Sequence, residues 1–138
     1  MRKSVQPDGW ERPRGYSNAV MAQGEQIYVA GQIGWNERHE IVSDDFVDQA
    51  AQALRNIVTI LHACRSRPSD LVRLTWYVTD KAEYESAAVP LGETYRQIIG
   101  AHFPAMTLVQ VSALLEEGAK VEIEATAVRS LERRDEDA

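Results

Sequence analysis

The sequence holds one cysteine, Cys64, among 138 residues. No intrachain disulfide can form, which sets the chain apart from small secreted domains that pair their cysteines. No run approaches the ~18 apolar residues of a membrane helix. Arg2 and Lys3 are not followed by an apolar stretch, so neither a membrane span nor a signal peptide is expected. The expected compartment is therefore the cytoplasm. Basic residues are outnumbered, 15 against 21 acidic, for a formal net charge of −6. An acidic chain repels phosphate backbones, which argues against nucleic acid as a partner. His39, His62 and His102 show no metal-ligand spacing, and no HExxH or Cys/His cluster is present, so no metal is expected. Gly31-x-x-Gly34 lacks the lysine and the remaining spacing of a phosphate loop. Cys64 has no paired base in view and reads as a helix residue, not a nucleophile.

What is present is the mix of a soluble globular domain, 44% hydrophobic and 26% charged. Residues 1–13 are polar, carry Pro7, Gly9 and Pro13, and read as an irregular arm. Trp10 within them is expected to cap the core or a neighbouring subunit. Ser17–Met21 and Gln26–Ala30 are strand-like, and the turn at Gly24 predicts a hairpin between them. Gly31 and Gly34 then break the second strand. Val47, Ala50, Leu54, Ile57, Val58 and Leu61 form one apolar helical stripe, with Ser43, Asp44 or Asp45 as cap and Pro68 beyond its end. Val72–Thr79 alternates as a strand, with Val72, Leu74, Trp76 and Val78 on one face. A second helix is predicted from Pro90 to Ile99, stopped at Gly100. Met106–Ser112 and Lys120–Val128 are further strands. The tail, 130–138, is charged on almost every residue and is expected to be disordered.

The order is ββαβαββ, an α+β arrangement in which two helices cover one face of a mixed sheet. The other face then needs a partner, which predicts an oligomer. In the last strand Val121, Ile123, Ala125 and Ala127 share one face and Glu122, Glu124 and Thr126 the other. Glu122 therefore faces a cleft, an interface or solvent. In a cleft it could move a proton to or from water. Glu124 has the same parity and suits an interface salt bridge.

Residues 14–20, Arg14-Gly15-Tyr16-Ser17-Asn18-Ala19-Val20, then Tyr28-Val29-Ala30-Gly31-Gln32-Ile33, His102-Phe103-Pro104-Ala105-Met106-Thr107 and Val121-Glu122-Ile123-Glu124-Ala125, in this order, resemble four segments of the RidA/YjgF family. The first is similar to its GPYSQAV opening and the second to its FVSGQIP strand. The third resembles its FPARS segment, and the fourth its VEIEA strand. The resemblance spans residues 14–129. It implies a chorismate-mutase-like subunit, a homotrimer with small-molecule clefts between copies, and cofactor-free hydrolysis of imines or enamines. It places Tyr16 and Glu122 as catalytic residues and Gly31 at the substrate.

The family's carboxylate-binding arginine position holds Met106, and a cysteine two places on is Leu108. A thioether cannot replace a bidentate guanidinium, at a cost of roughly 10–100-fold in carboxylate affinity. Met106, Leu108 and Trp35 are thus expected to line an apolar pocket for a substrate not held by an arginine–carboxylate pair. Arg14 and His102 are the side chains near enough in sequence to enter it. The alternative is a trimer that binds a small metabolite without turnover. Some relatives carry the name L-PSP endoribonuclease. Acidic charge and the lack of a catalytic histidine pair argue against that activity here.

Overall fold

The apolar stripe builds helix α1 (Phe46–Ala63). Asp45 caps it, its carboxylate accepting from the Asp48 amide at 2.9 Å. Ala50, Ala53, Leu54, Ile57 and Leu61 are fully buried, while Val47 and Val58 at the stripe's flanks are half-buried. The computed structural model describes residues 2–131, so the expected tail lies outside the described residues from 132 onward.

The remaining elements are β1 (Arg2–Val5), β2 (Ala19–Ala22), β3 (Glu25–Ile33), β4 (Leu71–Val78), α2 (Lys81–Ser86), α3 (Ala88–Ile98), β5 (Ala105–Gln110) and β6 (Val121–Arg129). The main sheet runs β3-β6-β4-β5, antiparallel except between β4 and β5. Helices α1 and α3 pack together on one face. The expected α+β architecture, a mixed sheet with helices on one side, is therefore the observed one.

Several local expectations are corrected. β2 and β3 form no hairpin: β2 pairs antiparallel with β1, and β3 pairs with β6. Gly24, at φ +148°, takes the chain past the end of β6, where a Cβ would meet the Arg129 carbonyl oxygen at 2.1 Å. The N-terminal arm thus contains a strand, which four residues of mixed polarity did not signal. β3 is not broken at Gly31 but runs to Ile33 through an irregularity between Val29 and Gln32. A similar shift between Leu71 and Arg73 gives the inward place of Val72 to Leu71. The helix expected from Pro90 starts at Ala88. Pro90 is tolerated because the first turn leaves amides without helical acceptors anyway. Ahead of it lies the unforeseen α2, capped by Asp80 through the Ala82 and Glu83 amides.

The core lies between the helices and the inward residues of the strands, including Leu74, Trp76, Val78, Val121 and Ile123. In β6 the alternation is as expected, with Val121, Ile123, Ala125 and Ala127 buried. Trp10 is 64% exposed and does not cap this core. Among the described residues no helix is long and apolar enough to cross a membrane.

Candidate functional site

Two helices cannot cover four strands evenly, and the deficit falls at the edge strand β5. Helix α1 packs on β3, β6 and α3, leaving a cavity of ≈ 270 Å³ between α3 and the β4–β5 edge. Its walls include Trp76 and Met106 from the sheet, Tyr84 from α2, Leu91 and Tyr95 from α3, and Phe103. Met106 stands beside Leu74 in the β4–β5 register, on the helix side of the sheet. Gly15, Gly92 and Arg96 complete the lining.

The rim is held by Ser17. Its amide donates to the Pro104 carbonyl at 3.0 Å and its hydroxyl to the Phe103 carbonyl at 2.5 Å. Tyr16 is thereby anchored beside the start of β5 and stays 40% exposed. Behind Phe103, the Tyr95 hydroxyl donates to the His102 carbonyl at 2.7 Å, and burial pushes the Tyr95 phenol well above its ordinary pKa.

The second feature is on the open face. Glu122 stands opposite Ile33 on β3 and Tyr77 on β4, with its side chain laid over Gly31. A Cβ at residue 31 would come within 2.0 Å of Glu122 Oε2. Gly31 therefore serves two purposes, at an irregularity in β3 and as the floor under a carboxylate. Glu124, two residues on, accepts a 2.6 Å hydrogen bond from the Tyr77 hydroxyl. That bond, with the nearby acids, raises the Tyr77 pKa. Glu124 is thus engaged within its own chain, whereas no side-chain hydrogen bond or ion pair of Glu122 is seen among the described residues.

Met106 and Glu122 consequently lie on opposite faces of the sheet within one protomer. Gly31 goes with Glu122, whereas Tyr16 adjoins Gly15 of the cavity lining without being part of it. Leu108 packs against the core beside Trp76 and is not part of the cavity lining. Trp35 joins neither group: it stacks on His39 at 3.9 Å in a separate groove against α1. Arg14 is exposed and not part of the lining. His102 turns inward, its Nε2 2.9 Å from the Leu71 carbonyl. Among the described residues no group of three or more His, Cys, Asp or Glu could hold a metal.

The family model described as Endoribonuclease L-PSP matches residues 11–129. The chain belongs to the RidA/YjgF family. It is 34% identical over 115 residues to a human protein named 2-iminobutanoate/2-iminopropanoate deaminase, covering 83% of this chain and 80% of that one. It is 33% identical over 131 residues to a RutC family protein of Pyrococcus horikoshii, covering 94% of this chain and 99% of that one. Among solved structures, the Rid family protein YyfB of Yersinia pestis superposes with a TM-score of 0.80 at 32% identity, covering 93% of this chain and 98% of that one. RidA from an Antarctic Psychrobacter superposes with a TM-score of 0.66 at 31% identity, covering 92% and 99%.

Within this RidA/YjgF chain, sequence reading missed Arg96, Tyr77, Tyr84 and Phe103. Tyr77 was accessible from parity, since it alternates with the buried Trp76 and Val78. Arg96 could have been noticed as the neighbour of the inward-facing Tyr95, four residues after a helical glycine.

Proposed function

We propose that this RidA/YjgF chain is a cofactor-free hydrolase of the cytoplasm. It would cleave an imine, an enamine or a related C–N bond in clefts between the copies of a homotrimer. The observation that carries this reading is the Glu122–Gly31 pair, a carboxylate laid over a position that cannot hold a side chain without displacing it. The curated relatives' name, 2-iminobutanoate/2-iminopropanoate deaminase, supplies the reaction class. The cavity side of one copy and the carboxylate side of the next would together complete a site that one protomer divides between two faces.

In this reading Glu122 accepts a proton from water as the oxygen adds to the C=N carbon. The proton passes to nitrogen, the C–N bond of the resulting carbinolamine breaks, and a carbonyl compound and ammonia leave. An enamine first takes a proton at carbon to become the imine. No electron is gained or lost, so no redox cofactor is required. Tyr16, the neighbour of Gly15 in the cavity lining, would donate a hydrogen bond to substrate or water, and Met106 would form part of an apolar wall.

The test is hydrolysis of freshly generated 2-aminoacrylate and of imines with larger side chains, with mass in solution measured by light scattering. The expected results are acceleration over buffer and a mass three times the 15.5 kDa chain. Glu122→Gln should lower the rate by about 10²–10⁴-fold, and Met106→Arg should raise the rate on the smallest substrate. A monomer, or no acceleration on any imine, would refute the hydrolase. The aromatic walls of the cavity favour one other reading, capture of a hydrophobic metabolite without turnover. Thermal stabilisation by aromatic compounds in a chain inert toward imines would establish it instead.

A further inference from the structure

We propose that Arg96 is the substrate-anchoring cation of this site, holding the carboxylate of an acid whose aromatic or bulky apolar body fills the cavity below it. The inference rests on the proposed function and departs from the expectation that the pocket has no arginine. Met106 removes the cation from the sheet, but the cavity still has a guanidinium in its lining, supplied by α3.

Side chains of a helix lean toward its N-terminus, so residue 96 covers the turn of residue 92. Residue 92 is glycine, and the position its Cβ would occupy lies 3.8 Å from Arg96 Nη1. The guanidinium can therefore lie along the rim with nothing standing between it and the opening. Leu91 and Tyr95, each one residue earlier, are both 6% exposed and form the wall beneath it. The result is one charged group above a pocket whose other principal walls are Trp76, Tyr84, Phe103 and Met106.

Arg96 is exposed, and no carboxylate among the described residues is within ion-pair distance of it. A basic residue in the last turn of a helix has a plain explanation, since it complements the helix dipole. That explanation requires neither a cavity beneath the guanidinium nor a missing side chain at residue 92. A carboxylate needs a cation that is not already spent, and in a chain of net charge −6 this one is unspent at the mouth of an apolar hole. Its exposure limits the gain, because water and salt screen a charge at a rim. The acid preference should therefore be about 10-fold, the low end of the charge-assisted range, and should shrink as salt rises.

The probes are 3-phenylpropanoate and its neutral amide, titrated calorimetrically into the full chain as wild type, Arg96→Met and Arg96→Lys. The expected result is an acid preference of about 10-fold in the wild type, abolished by Arg96→Met and partly kept by Arg96→Lys. Affinity for the amide should be the same in all three. Equal binding of acid and amide to the wild type, a preference that survives Arg96→Met, or no binding of either probe would overturn the assignment. Turnover of a phenyl-bearing imino acid, measured on the same preparations, separates this proposal from the one beneath it. Acid preference without turnover refutes the hydrolase and keeps Arg96 as anchor, while turnover without acid preference does the reverse. With turnover, Arg96→Met should raise KM and leave kcat nearly unchanged.

Discussion

A single methyl group added at residue 31 separates the role of the Glu122 carboxylate from that of the scaffold. In Gly31→Ala the new Cβ would meet Glu122 Oε2 at 2.0 Å, Cδ at 2.8 Å and Cγ at 2.9 Å. Comfortable contact between such atoms begins near ~3.5 Å, so the carboxylate must retreat by more than about 1 Å. The colliding atoms belong to the far end of a flexible side chain, and moving them costs about 0.5–1.5 kcal/mol. Residue 31 is not in the left-handed region, so alanine also restricts the unfolded chain, a gain of about 0.4–1 kcal/mol. These effects largely cancel, and stability should stay within about 1 kcal/mol of wild type.

Catalysis should not be spared, because a 1 Å misplacement of a reacting group costs on the order of 10²-fold. Initial rates of imine hydrolysis in Gly31→Ala, Glu122→Gln and the double variant provide the assay, with thermal unfolding as the control. Gly31→Ala should lose about 10²-fold in kcat, and the double variant should match Glu122→Gln alone, since both changes act on one carboxylate. A Gly31→Ala chain that hydrolyses imines at the wild-type rate would show that the position of Glu122 is irrelevant to the chemistry.

Two further predictions concern the scaffold. Gln49 is fully buried, donating to the Ser43 and Gly118 carbonyls and accepting from the Lys120 amide. Gln49→Leu preserves size but orphans three backbone groups, so urea unfolding should show a loss of about 2–5 kcal/mol; a loss below about 1 kcal/mol would mean water replaces the bonds. His102 is held below its ordinary pKa of 6.5, chiefly by burial and also by the Arg2 charge, against the opposing pull of the Leu71 carbonyl and Asp70. The folded state then binds this proton less readily than the unfolded chain, so its contribution is complete above pH 6.5 and is lost as pH falls through the lowered folded value. Thermal midpoints from pH 7.5 to 5 should fall less steeply in His102→Gln than in wild type, and parallel curves would sink the assignment.

The legible parts of this fold are those in which neighbours in sequence decide the outcome. The α1 stripe and the strict alternation of β6 report burial directly, because the helix and strand periods convert spacing into a face. The pairing of β2 is different. Its turn at Gly24 looks like a hairpin locally, but the better partner for β3 is β6, nearly a hundred residues away, and no local pattern carries that choice. The exchange of Val72 for Leu71 has the same origin, since a bulge shifts parity without changing composition. At the site, Met106 and Glu122 were each placed correctly on their own strands. That they occupy opposite faces became apparent only when β4 and β6 set the register between them. Arg96 was hidden for a third reason: its importance comes from the gap between α3 and β5, which is a property of tertiary packing.

Moving a cation from a strand to a helix is more than an exchange of equivalent charges. An arginine at residue 106 would extend into the space now walled by Trp76, Tyr84 and Phe103, taking up volume and bringing a poorly solvated charge among aromatic rings. Methionine leaves that floor apolar and adaptable. A guanidinium at the rim lengthens the distance between the carboxylate and the floor, so the acid that satisfies both must have a longer or broader body than one gripped from the strand. The C=N carbon adjoins the carboxylate, so it too would sit at the rim, where the proposed trimer would bring Glu122 of a neighbouring copy. On this reading the reaction class and the substrate size are set by different elements, the first by β3 and β6 of one protomer and the second by α3 and β5 of the next. Selection could then alter what is bound without disturbing the carboxylate proposed to activate water.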